Sequence, residues 1–214
     1  MGDLWQLGAA DLAAAIRDRS VSSRDVVDAH LARIEAVNPK LNAVTVTLAD
    51  NARRAAADAD RWLAAGDELG PLHGVPFTVK ENVDVAGSAT TQGLVARADA
   101  VAALDAPVVA NLRAAGAIPF ARTNLPDYAL RWHTDNALHG ATRNPWDATR
   151  TPGGSSGGEA AALAAGLTPL GFGNDLGGSL RWPSQCCGTT AIRPTFGRVP
   201  HAHTVEPVDS PLSI

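Results

Sequence analysis

An α/β fold with at least partly parallel strands is predicted by three observations. Apolar residues recur at helical spacing in long segments, shorter segments are alternating or continuously apolar as strands are, and the two kinds succeed one another through the first half of the chain. With 214 residues, 45% of them apolar and 19% charged, there is material for a substantial core, and disordered, collagen-like and fibrous classes are excluded.

The first strong helix signal is Ser22 with Asp25 three residues on, after which Val26, Val27, Leu31 and Ile34 share one face until Asn38-Pro39, where the helix is expected to stop. Residues 42–48 set Val44, Val46 and Leu48 against Thr45 and Thr47, the period of a strand with one buried face. Ala49 to Ala65 reads as a second helix closed by Gly66, and 74–80 as a short apolar strand ending in the charge of Lys80. Residues 107–115 are helical and 118–122 extended. From Thr142 the chain is rich in turns; the block Gly153-Gly-Ser-Ser-Gly-Gly158 opens a helix over 159–165, which Gly166 closes. An apolar strand is expected over 167–172, running into a second glycine-rich turn, Asn174-Asp-Leu-Gly-Gly-Ser179.

Several function classes are excluded by composition. The longest uncharged apolar stretch, between Glu159 and Asp175, is shorter than the roughly 18 residues of a bilayer span and is broken by Gly166, Pro169 and Gly171, so no membrane helix is predicted. The opening MGDLWQLGAADL has acids where a signal peptide has a basic region, so an unprocessed cytoplasmic chain is expected. The net charge is −4 and no basic cluster occurs, which argues against nucleic-acid binding. Cys186 and Cys187 are adjacent and have neither disulfide-framework nor zinc spacing; two buried thiols are expected. His201 and His203 lack an accompanying carboxylate pattern and read as part of a surface tail.

The glycine-rich turns match no phosphate motif. The block 153–158 is followed by Glu159-Ala160, with neither the lysine nor the hydroxyl of a Walker A loop, and Gly171-Phe-Gly173 is followed by Leu176 where a dinucleotide fingerprint needs its third glycine. Gly153-Gly-Ser155-Ser-Gly157 has the form of a nucleophile elbow, with Asp175 and then His201 or His203 in triad order, but the polar, turn-like residues before it are not the buried strand an elbow requires. What remains is two serines in glycine-rich turns and one unusual lysine. Lys80, one of only two lysines, ends the apolar run Val75-Pro-Phe-Thr-Val79. Taken alone, that placement favours a side chain snorkelling from a strand end to water; desolvation would instead lower its pKa and make it a general base.

Three segments, Gly74-Val-Pro-Phe-Thr-Val-Lys80-Glu-Asn82, Arg150-Thr-Pro-Gly-Gly-Ser155-Ser-Gly-Gly158 and Gly173-Asn-Asp-Leu-Gly-Gly-Ser179-Leu-Arg-Trp-Pro183, together with Arg193-Pro-Thr195 and Gly197-Arg-Val-Pro200, closely resemble the amidase signature family in order and spacing. The resemblance runs from about Ala9 to the C-terminus and includes Arg122-Thr-Asn124 and Thr142-Arg-Asn-Pro-Trp146. It implies a mixed, partly parallel β-sheet flanked by helices in a single domain over 1–214: a helical region over 1–65, the catalytic core over 66–200, and a tail over 201–214 leading toward a C-terminal half that the family ordinarily has.

The resemblance further implies that Ser179 is the nucleophile, Ser155 a bridging serine after a cis peptide at Gly154-Ser155, and Lys80 the base. The backbone N–H groups of Leu176, Gly177, Gly178 and Ser179 would bind the developing oxyanion. Ser156, Asp175 and Arg181 would order the turn and hydrogen-bond the triad. The implied reaction is hydrolysis of a small-molecule amide through an acyl-enzyme, with no metal or organic cofactor, no nucleic-acid or membrane partner, and room for a homodimer or a partner chain. The five tryptophans are expected in the core or a pocket wall, with Trp182 nearest the site. Departures from the family pattern are mild at Glu81, Ser184, Ala191 and Arg193. The large one is length, about half that of the family's catalytic domains, which raises a second reading: a non-catalytic or partner-dependent chain of the kind found as the amidase-like component of tRNA-dependent amidotransferases.

Overall fold

In the computed structural model, residues 3–200 are described; His201, His203 and the rest of the 201–214 tail lie outside them. Helices α1 (Ala9–Arg17) and α2 (Ser23–Leu41) lead into strand β1 (Val44–Thr47), then come α3 (Ala49–Ala65), β2 (Pro76–Lys80), α4 (Pro107–Ala114), β3 (Ile118–Thr123), α5 (Gly157–Ala164), β4 (Gly171–Phe172) and α6 (Arg181–Cys187). The sheet order is β1-β3-β2-β4: β2 runs parallel to both β3 and β4, and β1 is an antiparallel edge. The mixed, partly parallel sheet flanked by helices is therefore present.

Its two faces are set by strand periodicity. In β2, Phe77 and Val79 pack with Val85, Val109 of α4 and Ala117, while Thr78 and Lys80 point to the opposite face, which α5 covers. A second cluster joins Val27, Leu31 and Ile34 of α2, Ala52 and Ala56 of α3, Phe120, and Ala161 of α5. The face assigned to α2 is thus the buried one. Ser22 and Asp25 form a reciprocal capping box, and Gly66 ends α3 at φ 80°.

Five expectations need correction. Helix α2 does not stop at Asn38-Pro39 but runs through Pro39 to Leu41. Proline removes only one bond this near a helix end. Asn38 also anchors the exit: its backbone carbonyl accepts from Asn42 N–H, and its side chain bonds Ala43 and Val44. In β1, Val44 is buried but Val46 is 40% exposed, because the ladder is irregular between them and the strand lies at an edge. The strand expected over 167–172 is only Gly171–Phe172; Thr168 folds back, its hydroxyl donating to Leu170 O. The tryptophans are not core residues. Trp62, Trp132, Trp146 and Trp182 are exposed, and Trp5 is half-buried beneath the Arg33 guanidinium. Of the two free thiols, Cys187 is buried and Cys186 only partly so. Helix α6, which the sequence did not announce, carries Pro183 within its first turn, where proline's missing N–H costs nothing. No helix among the described residues is long and apolar enough to cross a membrane.

Candidate active site

The C-terminal end of β2, the turn preceding α5 and the turn preceding α6 meet on the sheet face that α5 covers. Lys80, the last residue of β2, is fully buried, and its Nζ donates to Ser155 Oγ at 2.6 Å and to Asn174 Oδ1 at 2.7 Å. The side chain does not snorkel to water. Burial lowers its pKa to about 7, against the opposing pull of the Glu159 and Asp175 charges. A lysine in this state exchanges a proton near neutral pH.

Ser155 follows a cis peptide at Gly154–Ser155 and lies directly before Ser156, the N-cap of α5. No strand leads into it, which disposes of the nucleophile elbow. The helix begins at Gly157, two residues earlier than expected, and its glycines let it approach closely: a Cβ on Gly158 would stand 2.5 Å from Asn124 N and O. Ser156 N–H donates to Ser179 O at 3.1 Å, tying the two glycine-rich turns together. Ser179 is nearly buried, and among the described residues no hydrogen bond joins its hydroxyl to Ser155 or Lys80.

Asp175 organises the second turn. Its Oδ1 accepts from Gly178 N–H at 2.8 Å and Arg181 Nη2 at 2.9 Å, and its Oδ2 from Leu180 N–H at 3.0 Å, Arg181 N–H at 3.2 Å and Arg181 Nε at 3.0 Å. Burial alone would raise its pKa, but Arg181 and the three backbone N–H groups hold the carboxyl well below the usual range. Arg193 Nε adds a bond to Asp175 O at 3.0 Å. Gly178 takes φ +116°, a conformation open to glycine. Of the four N–H groups expected around the oxyanion, that of Gly178 is engaged by Asp175, while those of Leu176, Gly177 and Ser179 make no hydrogen bond among the described residues. Trp182 lies on the outside of this turn, its Nε1 donating to Trp132 O at 3.0 Å.

Four participants escaped the sequence reading. Asn174 supplies the second acceptor of Lys80. Glu159, buried in α5, accepts from the hydroxyls of Thr78 and Thr123. An acid at the head of the apolar run Ala160–Ala165 was the available signal for Glu159; the threonines carried none. An adjoining cavity of about 490 Å³ is bounded by Ser156, Glu159, Phe172, Asn174, Leu180 and Ile192. Lys80, Ser155 and Ser179 do not line it. Among the described residues no cluster of side chains is arranged to hold a metal ion. Cys187 is no rival nucleophile, since burial and the neighbouring Cys186 push its thiol up to about 12.

The family model for Amidase matches residues 25–213. An indoleacetamide hydrolase of Bradyrhizobium diazoefficiens is 51% identical over 211 residues, covering 99% of this chain and 40% of that protein. One chain of the glutamyl-tRNA(Gln) amidotransferase of Acidothermus cellulolyticus is 45% identical, covering 93% of this chain and 39% of the relative. Among solved structures, a bacterial aryl acylamidase of the amidase signature enzymes superposes with a TM-score of 0.80 at 35% identity, over 83% of this chain and 37% of that one. The chain thus spans about two fifths of the length of the curated relatives it matches.

Proposed function

Because the chain belongs to the amidase signature family, we propose that it hydrolyses the carbon–nitrogen bond of a small-molecule amide, with Ser179 as nucleophile, Ser155 as proton bridge and Lys80 as base. The observation that carries this reading is the buried Lys80, its pKa near 7, hydrogen-bonded to Ser155. Neutral Lys80 accepts a proton relayed by Ser155 from the Ser179 hydroxyl as Ser179 Oγ bonds the amide carbon. The carbonyl electrons move onto oxygen, which the unengaged N–H groups of Leu176, Gly177 and Ser179 are available to bind. Collapse breaks the C–N bond, and the proton passes back to the leaving nitrogen, releasing ammonia or an amine. Water, deprotonated by the same relay, then attacks the acyl carbon; collapse breaks the bond to Ser179 Oγ, the relay returns the proton to that oxygen, and the carboxylate leaves. The missing Ser179–Ser155 hydrogen bond is expected to close in the substrate complex. No metal or organic cofactor enters this scheme, and a cytoplasmic location and the assignment of 1–214 to the N-terminal portion of a single amidase domain are part of the same reading.

A second reading, a non-catalytic or partner-dependent chain comparable to the matched amidotransferase component, is favoured by the exposure of Leu176, Trp182 and Ile192 around the site. Release of ammonia or amine from a panel of primary and N-aryl amides separates the two. Under the first reading the wild-type chain is active and Ser179→Ala loses about 10³-fold or more. Equal release by both proteins overturns the assignment of Ser179, and activity seen only with an added partner chain supports the second reading.

A further inference from the structure

We propose that Glu159 is a positioning residue, a buried counter-charge that keeps the ammonium form of Lys80 within reach of the proton it must take up. The inference rests on the reading of Lys80 as the base. Glu159 is the third residue of α5 and is 2% exposed. Its Oε1 accepts from the Thr78 hydroxyl and its Oε2 from the Thr123 hydroxyl at 2.5 Å. Thr78 and Lys80 alternate onto one face of β2, and Thr123 is the β3 residue in register with Lys80, so the carboxylate is clamped over the face that carries the lysine. Gly171 of β4 leaves the room, since a Cβ there would collide with the Glu159 side chain.

Packing alone does not account for an acid here. Alanines follow in the helix, and a carboxylate buried on neutral donors is costly unless a cation compensates it. The charges around the pair are few. Arg122 is held by five other oxygens, and its charge is shared among Glu81, Asp84, Glu159 and Asp105. Asp175 is ion-paired with Arg181. The direct partners of Lys80, Ser155 and Asn174, are neutral. Glu159 is therefore the anion left to balance a protonated Lys80, and its field is the larger of the two, ahead of Asp175, opposing the lowering of the lysine pKa by burial. Reciprocally, burial raises Glu159, against the Thr123 and Thr78 hydroxyls and the Lys80 and Arg122 charges.

Because the chain has only two lysines, Lys40 and Lys80, selective isotope labelling of lysine gives two side-chain NMR signals, with exposed Lys40 as internal reference. Glu159→Gln keeps the size and both threonine neighbours, one hydroxyl then accepting from the amide N–H where it donated to the carboxylate, while removing the charge. The Lys80 titration midpoint is expected to fall by about one pH unit or more, a tenfold loss of proton affinity, with Lys40 unmoved. An unshifted midpoint overturns the proposal. Should Glu159→Gln fail to fold, Thr123→Val decides: losing one donor weakens the carboxylate and is expected to shift Lys80 in the same direction by a smaller amount, and no shift overturns the proposal equally. The titration needs no turnover, so absence of amide hydrolysis together with a shifted Lys80 counts against the triad reading alone.

Discussion

Replacing Lys80 with Met is expected to lower the rate at which Ser179 is acylated by about 10³-fold, while leaving the fold intact. The rate falls because a serine hydroxyl at neutral pH needs a base, and general-base assistance is worth about 10²–10⁴. The fold survives because the variant loses the bonds to Ser155 and Asn174 but is also relieved of a buried ammonium. In the wild type, burial holds Lys80 at about 7, so the neutral base is lost as pH falls through that value. By pH 5 about a hundredfold less base is present, and acylation is expected to fall in proportion. Stability moves with pH as well: the folded-state pKa lies below the unfolded value of 10.5, so the unfolded chain binds the extra proton between about 7 and 10.5, and the cost of burial shrinks as pH rises through that window. A pH profile of Ser179 acylation flat to pH 5, or a Lys80→Met variant as fast as wild type, would remove lysine from the mechanism.

Arg122→Met is expected to be the most destabilising single change in the core of the site. Arg122 is fully buried in β3, and its guanidinium donates to Val83 O at 2.6 Å, Ser88 Oγ at 2.9 Å, Ala89 O at 3.2 Å, Val79 O at 3.3 Å and Lys80 O at 3.4 Å. It thereby pins the loop after β2 to the strand ends. Burial lowers its pKa to about 10, opposed by the charges of Glu81, Asp84, Glu159 and Asp105, and it stays protonated at neutral pH. Its removal strands carbonyl oxygens and uncompensated carboxylates together, a class of change that costs roughly 3–5 kcal/mol. For a chain of this size that is a fall in melting temperature of roughly 6–20 °C. Arg122→Lys is expected to recover part of it, because one ammonium cannot reach five acceptors in a fork geometry. A melting temperature within about 1 °C of wild type for Arg122→Met would contradict this account of the site's scaffold.

Features governed by neighbours in sequence were legible before the structure. The Ser22–Asp25 cap, the Gly66 stop and the short apolar strand that ends at Lys80 are all local. Features governed by the second layer were not. Whether Lys80 reaches water depends on α5 lying over it, and nothing within 74–80 encodes that cover. Glu159 read as one more helix former because helical spacing does not say which face an adjoining sheet will bury. Val46 follows the strand pattern and is nonetheless exposed, because edge position and a ladder irregularity are properties of pairing and not of period. The convergence of residues 80, 155 and 179 was reachable only through the family's motifs, whose order and spacing stand in for tertiary contacts that a single segment does not carry.

The central claim, that Ser179 is the nucleophile driven by Lys80 through Ser155, is tested most directly by treating the chain with a fluorophosphonate and locating the adduct by mass spectrometry of its peptides. One covalent adduct on Ser179 is expected, absent from Ser179→Ala and slowed about 10³-fold in Lys80→Met. An adduct on Ser155 or elsewhere, or labelling of Ser179 that is indifferent to Lys80, would contradict it.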